Sequence, residues 1–274
     1  MRPSIAVVRE LCYHPHMGTI ILVRHGENDW SKENKLAGRI PGIHLNDVGH
    51  QQAHAVAQRL AALPIKAVYS SPLTRCVETA DYIADTHGLA VHHVSELVEV
   101  DYGEWEGKKI RKLAKLPLWR AVQFFPSRAR FPQGEALGDV QHRIVGAIEE
   151  IAGRHAEETV VIVSHADLIR LALAHYLGMH IDSFQRLIIS PASASIIALH
   201  PEGLMRVLRM NDDGPLYPPP EREQKSKTKT KKSKHEKASE PEATIEDVTN
   251  DEEVGGIDSL PPEPIAPQAP DEVE

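Results

Sequence analysis

The sequence has few cysteines, few aromatic residues and no long apolar run. Its 274 residues include two cysteines, Cys12 and Cys76, which lie far apart in unlike contexts. Two such thiols do not form a disulfide framework, so we expect a reducing cytoplasm as the location. No stretch reaches the ~18 apolar residues that a membrane-spanning helix needs, and we expect no membrane partner. Near the start, Arg9 and Glu10 interrupt a short apolar stretch, which therefore lacks the apolar core of a signal peptide.

An excess of positive charge, which is typical of nucleic-acid-binding proteins, is also missing. The formal net charge is -8, and hydrophobic residues make up 41% of the chain, as in an ordinary globular protein. We therefore expect no nucleic-acid partner for the chain as a whole. The sequence does not indicate an oligomeric state.

Composition divides the chain into three zones. Residues 1–16 show no clear periodicity, and we interpret them as an N-terminal extension that precedes a candidate start at Met17. Residues 17–210 alternate strand-like and helix-like patterns, which predicts one folded domain. Residues 211–274 are proline-rich, then basic, then acidic, with almost no large apolar residues. We predict a disordered tail there, because so little burial cannot offset the entropy lost on ordering.

The middle zone predicts an α/β fold. Strands are predicted at residues 19–23, 67–69, 159–164, 187–190 and 195–199, with an edge strand at 205–210. Helices are predicted to start at Asn46 and at Pro72, to span 135–155, and to run from 167 to a cap at Gly178. Alternating strands and helices predict a three-layer sandwich, with a mostly parallel central sheet and helices on both faces. In such sheets the functional crevice lies at the carboxyl ends of the strands.

Histidines and arginines follow three of these strands. Arg24 and His25 follow the first strand, Arg75 the second, and His165 the strand at 159–164. Alone, each has an ordinary structural explanation, such as a strand-end histidine bonded to backbone or a solvated helix arginine. Together at one sheet edge they favour a phosphate site, because arginine binds phosphoryl oxygens bidentately and a neutral histidine can attack phosphorus. The adjacent Arg24, His25 and Gly26 are the most specific signal, since glycine allows close approach of a ligand to the backbone.

Six collinear stretches cover nearly all of residues 17–200 and resemble one known family. They are LVRHGEN (22–28), LAGRIPGIHLNDVGHQQA (36–53), YSSPLTRCVETA (69–80), LVEVDYGEWEG (97–107), FPQGEALGDVQHR (131–143) and VIVSHADLIRLAL (161–173). The chain resembles the histidine phosphatase superfamily, also called phosphoglycerate mutase-like. Two further segments, LPLWR (116–120) and SPASAS (190–195), are similar to a subgroup described as probable phosphomutase or histidine phosphatase.

The resemblance implies a role for each of the central residues. His25 would accept the phosphoryl group, while Arg24, Arg75 and His165 would hold its oxygens, and Glu99 would give a proton to the leaving group. Phosphoryl transfer needs mainly positioning and charge stabilisation, so we expect no metal and no cofactor. The histidine pairs 14/16 and 92/93 lack the cysteine or carboxylate spacing of a zinc site.

The choice of Glu99 as proton donor depends on its place in the motif. A donor needs a raised pKa, which partial burial among neighbouring apolar residues would supply. Four other carboxylates compete nearby: Glu96, Asp101, Glu104 and Glu106. The sequence chemistry alone does not separate them.

Two positions depart from the family pattern. Ser31 stands where the family often has asparagine, so a contact to phosphate is lost or goes through water. Ala166 stands where many members have glycine, and alanine would be strained if the position needs a positive φ. We keep Asn28, Ser31 and Ala166, with Arg24 and Arg75, as candidate substrate-binding residues.

These features predict a phosphomonoester phosphatase that acts on a small phosphorylated substrate through a phosphohistidine. Glycolytic mutases of the superfamily usually carry a long insertion after the donor segment, whereas here only residues 108–130, called the cap segment below, separate Gly107 from FPQGE. The short cap favours net hydrolysis, with a phosphomutase as the alternative. A third alternative is an inactive relative that acts as a binding module through its charged tail. The intact set of site residues argues against this alternative.

The cap segment is rich in basic residues. They are Lys108, Lys109, Arg111, Lys112, Lys115, Arg120, Arg128 and Arg130. Either they attract an anionic substrate or they form a solvated face. The sequence favours the solvated face for several of them.

Overall fold

A six-stranded sheet forms the centre of the protein in a computed structural model, which describes residues 18–200 and 203–214. The predictions for residues 1–16 and for the tail beyond residue 214 lie outside the described residues. The strands are β1 (Gly18–Arg24), β2 (Ile65–Ser70), β3 (Val91–His93), β4 (Thr159–Ser164), β5 (Ala194–Leu199) and β6 (Met205–Asp212). Their order in the sheet is β3-β2-β4-β1-β5-β6.

Four neighbouring strands of this sheet are parallel. Strands β3, β2, β4 and β1 pair in parallel. On the far side of β1, strand β5 pairs antiparallel with β1, and β6 pairs antiparallel with β5. The carboxyl ends of β1, β2 and β4 therefore meet at one edge. This arrangement confirms the predicted α/β fold with a mostly parallel sheet.

Helices cover both faces of the sheet. The helices are α1 (Asp29–Lys32), α2 (Asp47–Leu60), α3 (Thr74–His87), α4 (Ile110–Leu113), α5 (Pro117–Phe124), α6 (Leu137–Arg154) and α7 (Ala166–Tyr176). Short 3-10 turns lie at Ser95–Leu97, Gly103–Trp105, Pro126–Arg128 and Ile181–Arg186. Of the helices in the described part of the chain, none combines the length and apolar character required to cross a membrane.

Alternation along β1 separates two apolar cores. Ile20 and Leu22 face a core shared with α6 and α7, whereas Ile21 and Val23 face a core shared with α2 and α3. This follows from the period of two along a strand, which sends successive side chains to opposite faces. The sheet is thus packed against an apolar core on each face.

Local signals placed most elements correctly. Asn46 caps α2, because its side chain accepts a hydrogen bond from the backbone N–H of Gly49 at 2.8 Å. Gly178 follows α7 with φ +64°, a conformation that glycine adopts without strain. Helix α3 begins at Thr74, two residues after the predicted Pro72.

The predicted strand at residues 187–190 is wrong. The segment follows the 3-10 turn Ile181–Arg186 without pairing to a strand, and Ile188 is 71% exposed. The carbonyl of Ile189 instead accepts a hydrogen bond from Nη1 of Arg24 at 2.7 Å. A short apolar run has no periodicity that separates a strand from a buried loop. The short edge strand β3 was not predicted, because Val91–His93 has only half-exposed and exposed residues.

Candidate active site

The edge formed by β1, β2 and β4 brings four predicted site residues together. Arg24 is the last residue of β1 and His25 follows it, Arg75 lies in the first turn of α3, and His165 directly precedes α7. Nε of Arg75 lies 3.4 Å from Nε2 of His25, and its Nη2 lies 3.2 Å from Nδ1 of His165. The two imidazole rings meet edge to face, with centroids 5.3 Å apart. One arginine therefore contacts both histidines.

His25 is held with one ring nitrogen turned to the cavity. Its Nδ1 lies 2.7 Å from the carbonyl of Gly26, so this nitrogen carries the hydrogen and donates it. Burial, and then the positive charges of Arg75 and Arg24, hold the pKa of His25 well below its usual value. The ring is therefore neutral near pH 7, and the lone pair of Nε2 accepts only a long hydrogen bond from Nε of Arg75.

Gly26 is required by the packing of α2. A Cβ at this position would lie 2.5 Å from the carbonyl oxygen of Gly49. A side chain at Gly49 would in turn lie 2.0 Å from the carbonyl oxygen of Glu27. The two glycines allow backbone-to-backbone contact between the loop after β1 and α2, whereas the sequence suggested only approach of a ligand.

Helix α3 also fixes the loop after β1. Oγ1 of Thr79 accepts a hydrogen bond from the N–H of Gly26 at 3.1 Å and donates one to the carbonyl of Arg75 at 2.8 Å. Thr79 is fully buried, so it orders both the loop that carries His25 and the backbone of Arg75. The sequence analysis missed this residue, because a threonine inside a helix carries no signal of its partners.

His165 is neutral and fully buried. Arg75 can only donate, so Nδ1 of His165 accepts, and its Nε2 carries the hydrogen and donates to Oγ of Ser71 at 2.9 Å. Burial first, then the charge of Arg75, keep the pKa of His165 well below its usual range. Ser71 and the buried thiol of Cys76, 3.4 Å from Nε2, form the back wall behind this ring.

Glu99 is separated from its competitors by geometry. Its Oε1 accepts a hydrogen bond from the N–H of Val100 at 2.9 Å, and its Oε2 lies 3.7 Å from Nδ1 of His165. Burial first, and the negative charge of Asp167 second, raise the pKa of Glu99 to about 7. Of the five clustered carboxylates, Glu99 alone lines the cavity beside His25. The other four are partly or fully exposed, and they are Glu96, Asp101, Glu104 and Glu106.

The weaker candidates also line the cavity. Asn28 and Ser31 form a capping box at α1, in which Oδ1 of Asn28 accepts from the N–H of Ser31 at 2.9 Å. The hydroxyl of Ser31 donates to the carbonyl of Asn28 at 2.8 Å, so it already has a partner. Ala166 is the first residue of α7 and is not among the described residues with positive φ, so the strain considered for alanine is not present.

A cavity of about 490 Å³ opens in front of these residues, except that the fully buried His165 does not line it. Tyr102, Asp167, Arg170 and Gln185 form a network in its wall that the sequence did not reveal. The hydroxyl of Tyr102 donates to Oδ2 of Asp167 at 2.7 Å, and Nη1 of Arg170 donates to Oδ1 at 2.9 Å. The only sequence signal was the spacing of Asp167 and Arg170 in the first turns of α7.

The cap segment contributes uncharged residues to this cavity. They are Ile110, Trp119, Val122 and Gln123. The eight basic side chains of the cap segment all belong to the described part of the chain, and none of them lines the cavity. Within residues 18–200 and 203–214, no group of three or more His, Cys, Asp or Glu side chains is arranged to hold a metal ion.

Comparison with known proteins points to one family. The family model of the histidine phosphatase superfamily (branch 1) matches residues 20–213. The chain is 33% identical to "Phosphoserine phosphatase 1" of Hydrogenobacter thermophilus over 71% of this chain and 92% of that protein. It is 32% identical to "Probable phosphoglycerate mutase GpmB" of Erwinia tasmaniensis, over 64% of this chain and 82% of that protein. The solved structure of Bacillus stearothermophilus YhfR superposes with a TM-score of 0.67 at 28% identity, covering 71% of this chain and 97% of that one.

Proposed function

The chain belongs to the histidine phosphatase superfamily, and we propose that it hydrolyses small phosphomonoesters through a phosphohistidine formed on His25. The observation that carries the proposal is the orientation of His25. Its Nδ1 is occupied by the carbonyl of Gly26, and its Nε2 faces the guanidinium of Arg75. A neutral imidazole fixed in this way is a nucleophile that already points at the place where arginines would hold a phosphoryl group.

The first step transfers the phosphoryl group to His25. The lone pair of Nε2 attacks phosphorus while the bond from phosphorus to the ester oxygen breaks. Arg24 and Arg75 neutralise the charge on the phosphoryl oxygens, and the ring of His165 lies beside them. The N–H of Ala166 at the start of α7 and the side-chain amide of Asn28 are candidate further contacts, whereas the hydroxyl of Ser31 already donates to the carbonyl of Asn28.

Glu99 supplies the proton in this step. An alkoxide is a poor leaving group, so the ester oxygen takes the proton of the Glu99 carboxyl as the bond breaks. In the second step water attacks phosphorus, its proton goes to the Glu99 carboxylate, and the phosphorus–nitrogen bond breaks. A pKa of about 7 suits both directions, because either form is accessible near neutral pH.

We favour net hydrolysis over a mutase reaction. A mutase must keep the phosphoenzyme from water while its product turns around. The short cap segment closes one side of a cavity of about 490 Å³, which leaves room for water beside a small product. A phosphomutase remains the alternative, in line with the names of some relatives. The third alternative, an inactive binding module, has no support in the site, where all five central residues are intact.

The location and domain limits are also part of the proposal. We place the protein in a reducing cytoplasm, which fits the free, buried thiol of Cys76. The folded domain at residues 17–210, the extension at 1–16 and the tail at 211–274 stay predictions from composition.

Release of inorganic phosphate from a panel of phosphomonoesters tests the proposal. We expect turnover in wild type and its loss in His25→Ala, by roughly 10⁴-fold or more, because no other group takes over the covalent step. The exposed histidine of α2 serves as the control, and His54→Ala should retain wild-type turnover. Equal activity in His25→Ala and wild type would contradict the assignment.

A further inference from the structure

Part of the cavity wall is aromatic. The chain holds thirteen aromatic residues, namely three Trp, six Tyr and four Phe. Five of them line this one cavity: Tyr102, Trp105, Trp119, Phe131 and Phe184. Four of these rings are at most 5% exposed and belong to the apolar core, so the partly exposed ring of Trp119 is the one that needs a further explanation.

Four of these rings form one continuous array. Trp105 and Trp119 stack with centroids 6.0 Å apart, and Phe131 meets Trp105 edge to face at 5.2 Å. Tyr102 meets Phe131 edge to face at 5.0 Å. Trp105 and Phe131 are buried, whereas Trp119 on α5 is partly exposed. The buried rings therefore support Trp119, whose partly exposed ring lines the cavity.

Two cations in the cavity wall have contacts inside the protein that leave part of their binding capacity open. Nη1 of Arg170 donates to Asp167 at 2.9 Å, and Nζ of Lys35 lies 4.3 Å above the ring of Trp30. Asp167 carries a negative charge, which the ion pair with Arg170 partly neutralises. The cap segment keeps its eight basic side chains off the cavity and turns Ile110, Trp119, Val122 and Gln123 toward it. Among the described lining residues, a short acidic leaving group would thus find cations at Lys35 and at Arg170, whose Nε has no hydrogen-bond partner, but none on the cap side of the cavity.

The size of the cavity agrees with this chemistry. Its volume of about 490 Å³ lies within the range of ~300–1,000 Å³ that accommodates ligands with one or two rings. A three-carbon acid phosphate would leave much of the apolar wall in contact with water. A ring system would cover that wall and remove it from water.

We infer that the substrate is a phosphomonoester whose leaving group carries an aromatic or similarly flat apolar ring system, which packs on Trp119. This inference rests on the proposed phosphatase function and specifies its substrate class. Trp119 is then a specificity-determining residue, and the phosphoryl site does not depend on it.

Matched alkoxide esters test the inference. The substrates are 2-naphthylmethyl phosphate and ethyl phosphate, together with phosphoserine and 3-phosphoglycerate as short charged acids. The naphthylmethyl and ethyl esters both release a primary alkoxide, so their need for proton donation is alike. We expect kcat/KM for the naphthylmethyl ester to exceed that for ethyl phosphate by about 30-fold or more, from burial of the ring system.

Variants of α5 then assign the preference to Trp119. Trp119→Leu should reduce the ratio of the two kcat/KM values by roughly three- to tenfold, whereas Trp119→Phe, which keeps a ring, should retain most of it. Phe125→Leu is the control, because Phe125 is a cap aromatic that is 54% exposed and does not line the cavity. Thermal unfolding of each variant checks that it is folded. If Trp119→Leu does not fold, the ratio of the two kcat/KM values in wild type tests the inference.

The outcomes separate this inference from the proposed function. Preference for ethyl phosphate, phosphoserine or 3-phosphoglycerate, or an unchanged ratio in folded Trp119→Leu, would overturn the inference and leave the phosphatase intact. Release of no phosphate from any ester would instead overturn the proposed function itself.

Discussion

At the scale of single residues, burial separates groups that look alike in the sequence. Glu99 and Glu96 are three positions apart in the same segment, yet the pKa of Glu99 is raised to about 7 and that of Glu96 is lowered. Glu99 is buried near the negative charge of Asp167, whereas Glu96 is exposed and accepts a hydrogen bond from Ser95. The sequence offered five carboxylates, and only the folded chain distinguishes the one that can hold a proton near pH 7.

This difference predicts the pH dependence of the reaction. The donor must be protonated, so kcat/KM for an alkyl phosphate should fall as pH rises through about 7, where Glu99 loses its proton. Glu99→Gln should lower kcat/KM by roughly 10²–10⁴-fold and remove this decline, because the amide does not titrate. Initial rates measured from about pH 5 to about pH 9 show this decline. Glu96→Gln is the control and should keep the decline of kcat/KM with rising pH. If this decline persists in Glu99→Gln, a group other than Glu99 causes it.

At the scale of secondary structure elements, contacts between helices and the loop after β1 hold His25, the proposed nucleophile. Helix α3 contributes Arg75 to the cavity and Thr79 to the N–H of Gly26, while α2 packs its Gly49 against the same loop. Sequence patterns predicted that these helices exist and where β1 ends. They could not predict the contacts between them, because a hydrogen bond from Gly26 to a residue 53 positions away leaves no local periodicity.

Helix α3 provides a matched test of this connection. Thr79 and Thr86 each donate a hydroxyl hydrogen bond to the carbonyl four residues earlier, but only Thr79 also accepts from Gly26. Thr79→Val leaves the buried N–H of Gly26 without its partner and should lower the free energy of unfolding by about 1–3 kcal/mol. The exposed Thr86→Val should change it by less than ~0.5 kcal/mol. Urea unfolding measures both, and equal losses in the two variants would show that the bond to Gly26 contributes nothing.

At the scale of the whole molecule, the sequence was informative where strands end and uninformative where loops meet. The apolar strands 19–23 and 159–164 and the residues that follow them predicted both the parallel sheet and the meeting of Arg24, His25 and His165. The aromatic wall was not predicted, because its rings come from separate segments that have no common pattern. The strand predicted at 187–190 was wrong for a related reason, since the burial of Ile189 and its bond to Arg24 depend on the packed sheet edge.

A chain with a negative net charge can bind a phosphate where its positively charged side chains are clustered. The net charge is -8, but Arg24 and Arg75 lie together at the cavity, and both contribute to keeping His25 neutral. The fold thus places one neutral imidazole nitrogen, Nε2 of His25, beside the proposed phosphoryl site. This assignment is the central claim, and it specifies an atom as well as a residue.

The site of phosphorylation on the trapped enzyme tests that claim most directly. The enzyme is mixed with an excess of substrate and quenched in alkali, in which phosphohistidine is stable, and the phosphorylated peptide is located by mass spectrometry. Phosphorus NMR of the same peptide then distinguishes the two ring nitrogens. We predict phosphate on Nε2 of His25, because Nδ1 is bonded to the carbonyl of Gly26. Phosphate on Nδ1 of His25, on His165, or on a serine or carboxylate would contradict the account.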